Sequence, residues 1–377
     1  MIVTIIAFIL ILGFLVFIHE FGHFILAKKL GVKVEEFAIG FPPTIWKKKV
    51  GETVYSINII PLGGFNKLLG EGKDKHLDNP RSFSAQPPHK RAAIILGGVA
   101  MNFLVASLIF YFILASGGFQ FEFPLIFDYE FPFGDQRNYP PVVSFVSEDS
   151  PAEEAGIEIN DFVVRGNGVE FKNTNHLIGF LSDKGGEEVD LVIRKSSNDE
   201  IKEVSVVPRE NPPEGEGAVG IALIDMTNLV YEKPLSKLTS GFTHSLNLAH
   251  YSLVGLGHYI KMSVVQRDVE PIANSVTGPV GVLALTKLSV EAGFTEVIFL
   301  IAVISIALFL VNILPIPPLD GGIFLFLLFE MVTGKKIPKK MELITQQVGI
   351  IFFIVLFILV TFKDILQFKD ILFKGFL

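Results

Sequence analysis

The sequence predicts an α-helical integral membrane protein with four transmembrane spans, a membrane-associated β-hairpin and one extracytoplasmic α/β domain. Half of the 377 residues are hydrophobic, only 19% are charged, and the mean hydropathy is +0.51. Four runs contain no Asp, Glu, Lys or Arg: Ile2–Ile18, Ala92–Phe119, Val297–Leu314 and Val348–Phe362. A span needs about 20 apolar residues, with roughly 17 as a lower limit. The first three runs meet that limit, and the fourth reaches it through the uncharged residues 343–347.

Charge asymmetry predicts the orientation of these spans. Residues 28–91 contain 12 basic and 6 acidic residues, whereas residues 117–235 contain 9 basic and 23 acidic residues. Because basic loops stay in the cytoplasm, we expect 28–91 inside and the N-terminus and the acidic region outside. The sequence shows no basic patch for nucleic acid. The four apolar runs predict that the surroundings are the lipid bilayer. The absence of Cys excludes disulfides and thiolate metal ligands.

Composition divides the chain into four parts: membrane core 1–121, extracytoplasmic domain 122–228, amphipathic interfacial segment 229–290 and membrane core 291–377. Gly241–Val265 is apolar enough to suggest a fifth span, but it contains three His and one Lys. We therefore expect an amphipathic helix at the outer surface.

Local patterns indicate β structure in two places. In 122–228, short β-rich runs alternate with turn signals such as Asn-Gly at 167–168, which is typical of a small domain. Residues 44–72 alternate in polarity and end in Pro-Leu-Gly-Gly-Phe (61–65), which predicts a β-hairpin just inside the membrane.

The motif HEFGH (19–23) follows the first apolar run and carries chemistry. Residues four apart share a helix face, so His19 and His23 can bind one Zn²⁺. Glu20 can then act as general base on a water at the metal. Charged groups within a membrane are costly and are therefore rare unless they are functional. The alternative is a pair of interfacial histidines near a helix end.

A third ligand is offered by VNILPIPPLDGG (311–322). Three prolines break the third apolar run and free backbone carbonyls, which is tolerated in a membrane only beside protein or a watery cavity. Asp320 follows directly and is the only acidic residue between Glu296 and Glu330. Asp320 could instead only cap the next helix.

The predicted topology brings three distant segments to one depth. His19–His23 lie towards the inner end of span one, Gly98–Asn102 in the inner part of span two, and Asp320 near the inner end of span three. This convergence needs an even number of crossings between residues 23 and 297, which also argues against a fifth span.

These motifs together carry a family resemblance. HEFGH, the GxxxN at 98–102 and NILPIPPLDGG resemble the site-2 protease family of intramembrane zinc metalloproteases. PLGGFNKLLGEG (61–72), RSFSAQPPHKRAAI (81–94) and TGPVGV (277–282) resemble its bacterial branch, which cleaves anti-sigma factors and signal-peptide remnants. The region between spans two and three resembles a PDZ domain. The resemblance covers essentially the whole chain.

The resemblance implies a regulated intramembrane endopeptidase of the bacterial inner membrane, with its active site near the cytoplasmic side. Its cofactor would be Zn²⁺, and its partners would be single-span membrane substrates. The residues implied are the zinc ligands His19, His23 and Asp320, the general acid/base Glu20, and the substrate-positioning residues Asn102, Asn312, Gly63, Gly64 and Phe65. The hairpin would bind a locally unwound substrate helix by β-augmentation.

Two features depart from the family pattern, and a third stays open. Phe65-Asn66 stands where the family usually has Tyr-Val, and the outer region has room for one PDZ domain where some members have two. SEDSPAEEAGIEINDFVVRGNGVEF (147–171) resembles the circularly permuted PDZ type, which implies a peptide groove lined by Val142, Val143 and Phe145. A β-domain that only filters substrates by size is the alternative.

The sequence leaves two other classes of function open. A transporter could use intramembrane His, Glu and Asp as a proton or ion relay, but transporters usually show repeated halves, and no repeat is visible in this sequence. A non-catalytic PDZ membrane scaffold would need no metal and would not depend on Glu20.

Overall fold

The computed structural model describes residues 1–71, 78–196, 198–213 and 215–373, which form two units. One unit comprises Met1–Ile113 and the chain from His244 onward, and the other is Leu114–Thr243. The helices are α1 (Ile2–Lys29), α2 (Pro88–Ser116), α3 (Pro151–Glu154), α4 (Thr174–Ser182), α5 (Pro234–Gln266), α6 (Glu270–Ser275), α7 (Pro279–Ala292), α8 (Phe294–Ile313), α9 (Asp320–Thr333) and α10 (Lys339–Phe373). The strands are β1 (Val34–Val50), β2 (Thr53–Leu68), β3 (Gln120–Leu125), β4 (Asp135–Asn138), β5 (Val142–Val146), β6 (Phe162–Gly166), β7 (Val169–Glu170), β8 (Val189–Arg194), β9 (Ile201–Val206) and β10 (Ile221–Val230).

Four helices of the described chain are long and apolar enough to cross a membrane: α1, α2, α8 and α10. Each of them contains all or most of one of the four uncharged runs of the sequence. Half of the most apolar window of α2 is buried, against 6% in α10, so α2 is a central helix and α10 a peripheral one. Helix α5 is not among the four, as expected for 241–265.

The predicted hairpin is longer than residues 44–72 and begins at Val34. Residues 53–57 of β2 pair with 46–50 of β1, and residues 64–68 pair with 34–39. The chain turns between β1 and β2 at Gly51, whose φ of +62° suits glycine. The last predicted hairpin residue, Gly72, lies outside the described residues.

Apolar packing fixes the base of the hairpin to the helices. Its buried cluster joins the end of α1, both strands and the start of α2 to α9: Ala27, Val32, Val34, Leu68, Phe83, Ala92, Ile94, Ile95 and Leu327. Beside it, Arg91 of α2 and Glu330 of α9 form an ion pair of 2.6 Å with both side chains nearly buried. These contacts hold α9, and therefore its first residue Asp320, close to α1 and α2.

The second unit contains the predicted domain 122–228. Its strands form an antiparallel sheet in the order β3-β10-β5-β6-β8-β9, with β4 paired to β10 and β7 to β6. Helix α4 covers a core that includes Val143, Leu177 and Leu191.

The interfacial segment 229–290 is mainly helical. Within the first unit, His244 of α5 is fully buried, and its ring lies 5.0 Å from the ring of Phe110. Part of α5 therefore packs against protein, which a helix resting only on the membrane surface would not do.

Candidate metal centre

Helix α1 places the two histidines of HEFGH on one face, one turn apart. Their Nε2 atoms are 3.3 Å apart, and the rings are nearly perpendicular, at 89°. Helix α1 contains no proline and continues beyond His23 to Lys29, so both imidazoles are held by regular helix.

Asp320 is brought to the same point by the break between α8 and α9. Helix α8 ends at Ile313, the prolines follow, and Asp320 is the first residue of α9. Its Oδ2 atom lies 3.2 Å from Nε2 of His19 and 3.3 Å from Nε2 of His23. Its side chain is 15% exposed.

The three donor atoms form a nearly equilateral triangle with sides of 3.2–3.3 Å. Zinc bonds of about 2.0–2.1 Å in tetrahedral geometry separate neighbouring ligand atoms by about 3.3–3.4 Å. Oδ2 of Asp320 is buried and has no hydrogen-bond partner among the described residues. A buried carboxylate oxygen in this state is suited to a cation, so these residues fit a zinc ion.

The second nitrogen of His23 fixes the state of its ring. Nδ1 of His23 donates to the carbonyl oxygen of Ile94 at 2.9 Å. A carbonyl oxygen can only accept, so Nδ1 carries a proton, and in the neutral ring Nε2 then presents a lone pair to the triangle.

Helix α2 provides space and a contact through its GxxxN sequence. A Cβ atom at Gly98 would lie 2.4 Å from Nε2 of His23 and 2.9 Å from Cε1 of His19. One turn later, the fully buried Asn102 places Nδ2 3.3 Å from Nδ1 of His19. The glycine thus leaves room for both imidazoles, and the asparagine contacts the one that does not reach Ile94.

The hairpin reaches Glu20 through its second strand. Nδ2 of Asn66 donates to Oε2 of Glu20 at 2.7 Å and to the backbone oxygen of Glu20, also at 2.7 Å. A Cβ at Gly64 would lie 3.1 Å from Cγ of Glu20 and 2.9 Å from the oxygen of Ala38. Glycine at 64 therefore permits the close approach of β2 to α1.

A cavity of about 200 Å³ opens beside the triangle. Its lining residues are Glu20, His23, Phe65, Asn66, Leu68, Glu71, Ile94, Ile95, Asp320 and Ile323. Of the expected substrate-positioning residues, Phe65 lines it and Gly64 touches Glu20, whereas Gly63 packs against the ring of Phe41. Asn312 is half-buried in the last turn of α8 and does not line this cavity.

The predicted groove residues lie on β5 in the second unit. Val143 is fully buried in the core, Val142 is 7% exposed, and β5 pairs with β10 on one side and β6 on the other. The pairing with β6 is the single pair Val142–Phe162, so the peptide groove at Val142, Val143 and Phe145 stays a prediction. A cavity of about 400 Å³ lies beside α4 and residues 216–223.

Asn66 is the residue of this site for which the sequence predicted no role. Its only signal was the departure at Phe65-Asn66 from the usual Tyr-Val. Strand alternation places residues 64 and 66 on one face of β2, but nothing in the sequence says that this face meets Glu20.

Comparisons with known proteins agree with this site. The pattern of Peptidase family M50 matches residues 7–356. A protein of Clostridium acetobutylicum is 33% identical over 359 residues, which cover 95% of this chain and 96% of the relative. Zinc metalloprotease RasP of Bacillus licheniformis is 28% identical over 441 aligned positions, and Regulator of sigma-W protease RasP of Bacillus subtilis is 26% identical over 441, each covering 96% of this chain and 98% of the relative. The family match spans both HEFGH and the Asp320 segment, and the chain belongs to peptidase family M50.

Proposed function

We propose that this chain is a zinc-dependent intramembrane endopeptidase that hydrolyses peptide bonds within transmembrane helices of its substrates. The observation that carries the proposal is the triangle of Nε2, Nε2 and Oδ2, with sides of 3.2–3.3 Å. Two of its three residues lie in a helix long and apolar enough to cross a membrane. Membership of a peptidase family and the names of the RasP relatives support zinc-dependent proteolysis.

In this proposal His19, His23 and Asp320 hold the zinc ion. A zinc ion bound there supplies a Lewis acid that polarises the scissile carbonyl and lowers the pKa of water. The bond from Nδ1 of His23 to Ile94 keeps the ring oriented and its Nε2 available. Asn102 orients His19 in the same way. Oδ1 of Asn102 has no hydrogen-bond partner among the described residues. If the side-chain amide is rotated by half a turn, Oδ1 takes the place of Nδ2 and accepts from Nδ1–H of His19.

Glu20 moves the proton. Its carboxylate lines the same cavity as His23 and Asp320. It takes a proton from the attacking water and returns it to the amine of the leaving strand. The role needs no direct bond from Glu20 to the metal.

The hairpin positions the substrate next to these groups. Residues 64–68 pair with β1 along one edge, and Phe65 lines the cavity. A substrate segment unwound from its helix would add to this strand through backbone hydrogen bonds, which exposes a peptide bond that a helix would protect. Asn312, just before the helix break, would contact the same unwound segment.

The proposed substrates are single-span membrane proteins such as anti-sigma factors or signal-peptide remnants. The printed name of the Bacillus subtilis relative, a regulator of sigma-W protease, supports the first class. The proposed location is a bacterial inner membrane. The N-terminus and the second unit lie outside the membrane, and the metal centre lies towards the cytoplasm. The excess of basic residues in 28–91 and of acidic residues in 117–235 supports this placement.

The second unit acts as a PDZ-like domain that controls access of substrates. Its cavity beside α4 has a volume of about 400 Å³, within the range of about 300–1,000 Å³ typical of ligand pockets. Ile178, Leu181 and Leu223 supply apolar lining, and the charged residues Arg209, Glu210 and Glu216 line the same cavity.

The test combines metal analysis with cleavage by the purified full chain. We expect one zinc ion per chain and cleavage of a model single-span substrate inside its apolar segment, located by mass spectrometry. A zinc chelator should abolish cleavage, and added Zn²⁺ should restore it. Chelator-resistant cleavage, or products cut only outside the apolar segment, would contradict the proposal.

A further inference from the structure

We infer that Asn66 is a positioning residue for proton transfer, because its side-chain amide fixes one oxygen of the Glu20 carboxylate and leaves the other to accept the proton of water. This inference rests on the proposed function and deepens it. It assigns to the hairpin a role besides substrate binding.

The contact is short and doubled. One amide nitrogen lies 2.7 Å from Oε2 of Glu20 and 2.7 Å from the backbone oxygen of the same residue, 46 positions away in the chain. Hydrogen bonds to a charged group are stronger than those between neutral groups. Two bonds to one residue also restrict rotation of its side chain, because the backbone bond anchors the amide while the other holds the carboxylate.

The chemistry of the partners settles which amide atom faces Glu20. Both contacted atoms are oxygens that can only accept, and a carboxamide has two hydrogens, both on nitrogen. The nitrogen must therefore face Glu20. Oδ1 is then left buried without a hydrogen-bond partner among the described residues. An unpaired buried acceptor costs free energy, so this orientation is explained by the two bonds to Glu20 and not by local satisfaction of the amide.

The fold brings Asn66 to this position through the packing of β2 on α1. Asn66 pairs with Phe37 in the sheet. Phe37 packs edge-on against Phe17 of α1, which lies about one turn before Glu20 and Phe21. Gly64, two residues earlier on the same strand face, permits close contact with Glu20. The strand that would receive the substrate is thereby tied to the group that moves the proton.

The first variants remove the amide. Asn66→Leu is similar in size, and Asn66→Val suits a strand. For each we expect kcat on the model single-span substrate to fall about 10- to 100-fold, the range for losing a hydrogen bond to a charged group. KM and zinc per chain should stay within about twofold, since the side chain of Asn66 bonds to none of the three zinc ligands and the substrate would pair with the backbone of β2. The kcat of Asn66→Asp should fall further, because this variant replaces the two amide donors with a second negative charge beside Glu20. The donor-retaining Asn66→Gln should recover part of kcat.

Asn198 provides the matched control. It is an exposed asparagine of the second unit, and its Nδ2 donates to the carboxylate of Glu200 at 3.0 Å. Asn198→Leu should leave kcat, KM and zinc content unchanged.

A second measurement needs neither zinc nor activity. In the metal-stripped protein, the Tm shift caused by Asn66→Leu is compared in the wild-type and Glu20→Ala backgrounds. We expect the shift to shrink when Glu20 is absent, because the partner of the amide is gone. Equal shifts in both backgrounds would overturn the contact itself.

The outcomes separate this inference from the proposed function. Full kcat in both Asn66→Leu and Asn66→Val, or an effect confined to KM or to zinc content, would overturn the role of Asn66. If the wild type cleaves nothing in a zinc-dependent way while the Tm coupling is present, the proposed function fails and the Asn66–Glu20 contact stands.

Discussion

Gly98→Ala should weaken zinc binding without unfolding the protein. Alanine favours a helix over glycine by about 1 kcal/mol, so helix propensity alone predicts a more stable protein. The structure predicts a specific loss instead. The added Cβ would lie 2.4 Å from Nε2 of His23, whereas ordinary contacts begin at 3.4 Å, so the two atoms must separate by about 1 Å.

The imidazole can make this movement, but the metal site cannot accept it. The ring is the end of a side chain and can turn away, although it then strains its bond to Ile94. Metal–ligand distances, however, tolerate only about ±0.2 Å. Disturbing the orientation of a ligand typically costs 10- to 100-fold in metal affinity, or about 1.4–2.7 kcal/mol, and we expect at least this loss.

The assay is zinc affinity by competition with a chelator, together with thermal unfolding in detergent with and without zinc. Gly98→Ala should unfold like the wild type when zinc is absent, and zinc should raise its Tm less. Gly13→Ala is the matched control, because a Cβ at position 13 of α1 meets nothing within 4 Å. Wild-type zinc affinity in Gly98→Ala, or an equal loss in Gly13→Ala, would refute the reasoning.

Three further predictions concern the base, the third ligand and the topology. Glu20→Gln should keep zinc bound and lose cleavage at least about 100-fold, as expected for removal of a general base; substantial turnover would contradict its role. Asp320→Ala should lower zinc occupancy and abolish cleavage, whereas Asp183→Ala in the second unit should change neither; full zinc in Asp320→Ala would exclude it as a ligand. The chain has no Cys, so Lys336→Cys and Asn198→Cys each carry the only thiol: an impermeant reagent on intact cells should label position 198 and spare 336, and labelling of both would disprove the orientation.

The sequence was sufficient for the elements whose cause is local. Absence of charge over about 20 residues is visible in the chain itself, and it predicted four helices suited to a membrane. The spacing of HEFGH predicted that His19 and His23 share a face, because the helix period alone determines it. Prolines in the third run predicted the helix break, and Asp320 follows it as the first residue of α9.

Tertiary structure decided which distant faces meet. Neither the period of α2 nor the composition of GxxxN says that Gly98 lies against both imidazoles or that Asn102 reaches His19. The sequence likewise did not show that β5 pairs with β10 along residues 142–146 and with β6 at Val142. Such pairings depend on the whole sheet, which local alternation does not specify.

The contact between Asn66 and Glu20 shows the difference most directly. Residue 20 could be recognised as a base from its own motif, because its neighbours in the helix are its partners in the chemistry. Residue 66 could not, because its hydrogen bonds cross 46 positions and form only when β2 packs on α1. A sequence states the donors and acceptors of each side chain, whereas the packing of helices and strands determines which of them come within 3 Å of one another.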